Sequence, residues 1–396
     1  MDAAEKILEN ILAFDCHIKD YELIHTYFGT EKLLMHSKKI KPADARDNLI
    51  KLKKDLKNGF PDKYPCFRRT YCGDLIDSVL AQVDIFVFGN KKKYTVKKAV
   101  ENLFAVKLPG LFNFKDVKKN LAAELKKEGF SSIADFRARG RKVKFKDFDD
   151  FKRFARGEVK KSFSKIKRSF GRHIPVDLKK LFSKFDLIIE KPRKGYPECY
   201  YYYKGGYRGV AGLRFKKELG SAYIKGLIAH EISPGHHFYY IIKESLYRDR
   251  KADMLSCLDT FYSPETIINE GLAMSVDILF EGVLDGEVKI KGLTEKYFHK
   301  VLYNIWYSRF VLKKKYKKYE DILYGEFGFS KKEVNFWIGF YLGEDWRYYA
   351  VSYAIGSHYV DSFLKKHGLK SAKYLYSQQS LNTLKKQERH YEDGRK

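Results

Sequence analysis

Apolar residues recur at spacings of three and four through "AAEKILENILAF" (3–14), "ARDNLIKLKKDLKN" (45–58), "CGDLIDSVLAQVDIFVF" (72–88) and "KKNLAAELKKEG" (118–129). That is the period of one face of an α-helix, and it predicts a helical N-terminal region over residues 1–180. From Asp186 the pattern changes to "DLIIE", "ECYYYY" and "GVAGLRF", punctuated by the Gly- and Pro-rich "KPRKGYP" and "KGGYRG". Short apolar runs between turn sequences predict a small antiparallel sheet. The helical period returns in "SAYIKGLIAHEI" and "SPETIINEGLAMSVDILFEGV", where Ser263 is a natural N-cap and Pro264 suits the first turn. A second region, 181–376, continues helical and rich in Tyr and Trp, and a polar tail follows over 377–396. The expected fold class is therefore mainly α with one small antiparallel sheet.

Composition narrows the picture. At 396 residues, with 44 % hydrophobic and 16 % aromatic content, the chain can bury a sizeable core. No stretch approaches the roughly 18 consecutive apolar residues of a membrane span. The start, "MDAAEKILENILAFD", is an amphipathic helix pattern without a basic segment leading into an apolar run, so a cytosolic address is expected. Cys16, Cys66, Cys72, Cys199 and Cys257 are scattered and contain no CxxC pair, which predicts free thiols. The formal charge is +28, large enough to attract polyanions at low salt. Between Arg137 and Arg172 there are 15 Lys/Arg against four acids, interleaved with Phe145, Phe148, Phe151 and Phe154. Spacing of three among those rings predicts an amphipathic helix with its Phe face packed inward; a nucleic-acid surface is the alternative.

One stretch concentrates chemistry. "AHEISPGHHFYY" (229–240) puts three histidines into eight residues, in a chain with 11 histidines in all, where an even spread gives about 0.2 per such window. A catalytic zinc takes three protein donors and one open position. HExxH supplies two of them because positions four apart share a helix face. Here the fourth position after His230 is Pro234. On an unbroken helix His236 would point far from His230, and His237 would stand about 10 Å along the axis. Pro234 breaks the helix, and Gly235, able to adopt positive φ, re-aims the next residue. His230 and His236 then converge, with Glu231 toward a bound water. His237 ranks second as ligand, with contact to substrate as its other role.

"HEISPGHH", with "EGLA" downstream at Glu270–Ala273, resembles a large uncharacterised-domain group of predicted zinc metallopeptidases, related to the gluzincins, whose signatures are HExxPGHH and EGWA. Leu272 stands where those proteins carry Trp, and Asp277 where EGWAxxxE ends in Glu. "AVSYAIG" (350–356) is similar to their C-terminal Tyr-x-x-Gly block, and "EKPRKGYPECYYYY" to their segment ahead of the metal helix. The likeness spans roughly Leu187 to Gly356, in a chain shorter than typical members. It implies a helical metallopeptidase architecture with the small sheet beside the metal-binding helix.

Glu270 lies among Ile267, Ile268 and Leu272, where a carboxylate is costly to bury without a cation, and is the expected third ligand. Asp277, two turns on along the same helix, is either placed to accept a hydrogen bond from a ligating imidazole or exposed to solvent. The expected activity is peptide hydrolysis with one Zn2+, Glu231 as general base, Tyr353 as donor to the oxyanion on the strength of the resemblance, and Arg347 available for a carboxylate or the oxyanion. The "CYYYY" strand could align an extended peptide. Two rivals stand beside it: a basic nucleic-acid-binding protein with a structural zinc, and a catalytically silent scaffold. The number of subunits is not encoded legibly.

Overall fold

The computed structural model describes residues 2–18, 21–58, 66–140, 145–170, 184–191, 199–215, 220–281, 284–377 and 380–386. The predicted turn 191–197, all but its first residue, and the end of the chain from 387 lie outside the described residues, as do residues 141–144 and 171–172 of the basic segment.

The class is mainly α, as expected. The helix Ala3–His17 begins with a capping box, Asp2 accepting from the Glu5 amide while Glu5 reaches back to the Asp2 amide. Its face of Ile7, Leu8, Ile11 and Leu12 is buried against the helices Pro42–Lys57 and Cys66–Gln82. Leu255, Cys257 and Leu258 close that N-terminal cluster from the other half of the chain. A second, larger core joins buried residues drawn from Ala81 to Leu384.

Strands β1 (Ile24–Tyr27) and β5 (Leu258–Thr260) form an antiparallel pair with an irregularity between Ile24 and Thr26. The main sheet contains β2 (Phe185–Glu190), β3 (Cys199–Tyr203) and β4 (Gly209–Arg214) in the order β2-β4-β3. β3 and β4 pair antiparallel as expected, but β2 runs parallel to β4. The reason is the order: β4 inserts between its two predecessors instead of extending a meander, so strands two apart in the chain become neighbours pointing the same way.

The Phe stripe of the helix Phe148–Phe170 packs inward through Phe151, Ala155, Val159, Phe163 and Ile166, while Arg153, Arg156, Lys160 and Lys161 stay in solvent. Amphipathic packing therefore accounts for this part of the basic segment. The polar tail expected from 377 is partly core: Leu381 and Leu384 are buried, and Ser380 and Asn382 donate to Asp74. Its apolar residues are few but spaced three apart, enough for one short helical turn to dock. No helix among the described residues is long and apolar enough to cross a membrane.

Candidate metal centre

The helix Ser221–Glu231 ends one residue after His230, and a new helix, His236–Arg248, begins at the second histidine. Breaking a helix strands backbone carbonyls that must find donors. Ser162 donates to the carbonyl of Ser233 (2.7 Å) and Tyr376 to that of Pro234 (2.8 Å), both in the buried interior. The kink is thus held from outside, by the basic helix and by the C-terminal segment. Gly235 has φ −76°, so positive φ is not what it contributes. A side chain there would place Cβ 1.6 Å from the carbonyl oxygen of His230; its role is close approach of one backbone to another.

Glu270 arrives on the helix Pro264–Met274, capped by Ser263 as expected. This helix crosses Val351–His367, the helix carrying Tyr353, through Gly271 and Gly356. His230, His236 and Glu270 are brought together, each offering a ligand atom, all within 4.8 Å of one another. His230 Nε2 stands 3.5 Å from Glu270 Oε2, and His236 Nε2 stands 3.7 Å from Oε1. Donors bonded tetrahedrally at about 2.1 Å stand about 3.4 Å apart. Glu270 is only 4 % exposed, and its Oε2 is buried with no hydrogen-bond partner, an orphan that a cation would satisfy.

Neighbours fix the orientation of each donor. His236 Nδ1–H donates to Asn269 Oδ1 (3.0 Å), which leaves Nε2 as the lone-pair nitrogen facing Glu270. The His230 ring bonds the backbone of Ala273, and Tyr349 donates to Glu270 Oε1 (2.5 Å). Burial, with His236 and Lys291 nearby, holds the His230 pKa well below the usual imidazole value, so it is neutral and able to ligate. Burial alone would do the same to His236, but Glu270 and Glu231 outweigh it and raise its pKa. Burial raises Glu270 also, and pushes Glu231 up to about 7. Two carboxyls and two imidazoles with little water around them form a site suited to a divalent cation.

The site opens into a cavity of about 250 Å³ lined by His230, Glu231, His236, Glu270, Tyr349 and Tyr353, among others. Tyr353 is stacked on His299 (centroids 4.7 Å) and faces His230 (6.3 Å). Burial and the two carboxylates keep its phenol protonated. β3 is an edge strand of its sheet, and Tyr200, Tyr201 and Tyr202 contribute to the cavity wall.

Three expected residues are elsewhere. Asp277 does not reach an imidazole: the helix ends at Met274, Ser275 turns the chain, and Asp277 pairs with buried Lys296, itself shared with Asp361. The expectation assumed one helix running on through Ser275; Asn269 plays the part assigned to Asp277. His237 is fully buried, paired with Tyr201 (2.9 Å), under Gly209, where any Cβ would strike the imidazole at 2.3 Å. It anchors the sheet to the metal helix and lines no part of the cavity. Arg347 lies over the rings of Phe310 and Tyr348 and donates to the Tyr348 hydroxyl, away from the cavity. Residues that the sequence did not single out, Asn269, Tyr349, Asp259 and His25, do line it. Only Asn269 carried a usable signal, as the polar residue before Glu270 on a helix otherwise apolar around it.

A mainly helical body with a two-imidazole, one-carboxylate cluster at the floor of a cavity is what the fold and geometry define. No family model matches the chain, and no curated protein does. Among solved structures, one described as "the putative lipoprotein from Colwellia psychrerythraea" superposes with a TM-score of 0.57 at 13 % identity, covering 89 % of this chain and 67 % of the other. A second, described as "a putative lipoprotein of unknown function from Shewanella oneidensis", gives a TM-score of 0.40 at 14 % identity, with 94 % and 68 % covered. The first is a likeness of fold alone.

Proposed function

We propose that this protein is a zinc-dependent hydrolase acting on peptide bonds, with His230, His236 and Glu270 holding the ion. The observation that carries the reading is the spacing of the three donors, 3.5 and 3.7 Å across the two histidine–carboxylate pairs, beside an orphaned carboxylate oxygen. The sequence resemblance in HExxPGHH, EGLA and SYAIG is consistent with it. A zinc ion held by these groups supplies Lewis acidity and lowers the pKa of water at the site.

The chain's own residues do the rest. Glu231, with its carboxyl at about 7, takes a proton from water near neutral pH and delivers it to the departing amine. Tyr353, kept protonated by burial, donates to the oxyanion developing on the scissile carbonyl. The outer edge of β3, unpaired among the described residues, offers backbone groups to an extended peptide. Nothing in the packing of the basic helix favours the nucleic-acid reading, since its aromatic stripe is spent on the core.

Glu231→Gln is the decisive variant. Elemental analysis should find one zinc per chain in both proteins, while turnover of a fluorogenic peptide library falls by about 10²- to 10⁴-fold in the variant. No bound metal would remove the site, and zinc-loaded protein no faster than Glu231→Gln would leave the silent scaffold.

A further inference from the structure

We propose that the cavity selects peptides bearing a positive charge beside the scissile bond, a free α-ammonium or a Lys or Arg side chain, and that Asp259 is the group that receives it. This rests on the hydrolase reading and narrows its substrate class.

In a chain of charge +28, the described residues of the cavity wall include no Lys or Arg. Its charged side chains are the three carboxylates Glu231, Asp259 and Glu270 and the imidazoles of His25, His230 and His236. Assigning His230, His236 and Glu270 to a divalent ion, and Glu231 to proton transfer, leaves Asp259 as the one acid there without a task. The described wall thus offers no Arg or Lys partner to a substrate's terminal carboxylate.

Asp259 is built into its place. It sits in the middle of β5, and Phe261, just past the end of that strand, lines the cavity with it. Tyr240 donates to Oδ2, while Oδ1 has no hydrogen-bond or ion-pair partner among the described residues. Lys243 lies near, but its ammonium is bound to Glu265 and to the Leu258 carbonyl. In the same cavity wall, the rings of Phe261, Trp346 and Tyr349 form one cluster, with centroids 5.0 to 6.2 Å apart. Aromatic faces beside a carboxylate suit an organic cation. The same Tyr349 donates to Glu270, which ties this end of the cavity to the metal centre. His25, at the irregular position of β1 opposite Asp259, completes the wall.

The test has a binding arm and a kinetic arm, both on the full chain. Calorimetry on metal-free protein compares phenylalaninamide, N-acetylphenylalaninamide and N-acetyllysinamide, and repeats the series with Asp259→Asn. Affinity for the cationic ligands should exceed that of the neutral one by about 10- to 100-fold and fall to the neutral level in the variant. The first cation binding alone assigns the α-ammonium; the second, the side chain. Kinetics on zinc-loaded protein then compare peptides with free and acetylated N-termini, and with internal Lys against norleucine. Equal affinity for charged and neutral ligands in the wild type, a comparison that needs no variant, overturns the proposal even if peptides are cleaved. Discrimination without cleavage sustains it and removes the hydrolase reading instead.

Discussion

Gly271 and Gly356 hold two helices at backbone contact: a Cβ on Gly271 would lie 2.5 Å from the Gly356 carbonyl oxygen, and one on Gly356 would lie 2.3 Å from that of Ile267. Each glycine is one to three residues from a group at the site, Glu270 on one helix and Tyr353 on the other. Neither backbone can yield without moving its own group relative to the other. Gly356→Ala should cost about 1–3 kcal/mol of stability, as overpacking does, and weaken zinc binding with it. Gly339→Ala, on an exposed helix face with nothing within 4 Å, should be neutral or stabilise by up to about 1 kcal/mol. Thermal melts of the two variants, with zinc titrations of each, check the contrast.

Tyr349 and Asn269 each hold one ligand in place, Glu270 and His236 respectively. Tyr349→Phe and Asn269→Ala should each lower zinc affinity by about 10- to 100-fold, the range for removing the partner of a metal ligand. Competition titrations against a chromophoric chelator would measure it. Unchanged affinity in both would mean that the ligands are positioned by packing alone.

The buried Lys296 with Asp277 and Asp361 links the short helix after Ser275 to the helix Val351–His367, and it stands apart from the cavity. Lys296→Met leaves the buried Asp277 and the half-buried Asp361 without this cation and should cost about 3–5 kcal/mol. Metal stoichiometry of the folded fraction should not change. A selective loss of zinc would restore to Asp277 the site role that the geometry denies it.

Much of the helical framework was legible in the chain. The helical period placed Ala3–His17, Pro42–Lys57 and Lys115–Lys127 within a few residues, because a strong amphipathic face leaves its spacing in the sequence. The Pro-Gly break was legible for a similar reason, since few residues stop a helix so abruptly. The convergence of His230 and His236 came from that break, and Glu270 from its apolar surroundings. What the pattern could not reveal was everything brought in by tertiary pairing. β1 and β5 are four- and three-residue strands far apart in sequence, too short to carry a period, yet they deliver His25 and Asp259 to the cavity. Likewise, nothing local distinguishes Ser162 or Tyr376, whose hydroxyls support the kink.

Asp74 gives the fold a pH dependence of definite sign. Burial, opposed by donors from Ser380 and Asn382, raises its pKa from 3.8 to about 6; the Asp77 charge raises it further and Lys386 lowers it. The folded state thus holds this proton more tightly than the unfolded chain does. Its contribution to stability is complete below about pH 3.8 and is lost as pH rises through about 6. Asp74→Asn mimics the protonated form and keeps an acceptor for Ser380 and Asn382. At pH 7.5 the variant should be more stable than the wild type by about 3 kcal/mol, and near pH 4 the two should converge. Urea unfolding at both pH values isolates the effect, since every other titrating group cancels in the difference. A variant less stable than the wild type at pH 7.5 would mean that ionised Asp74 stabilises the docked segment, with the hydrogen bonds outweighing the cost of burial.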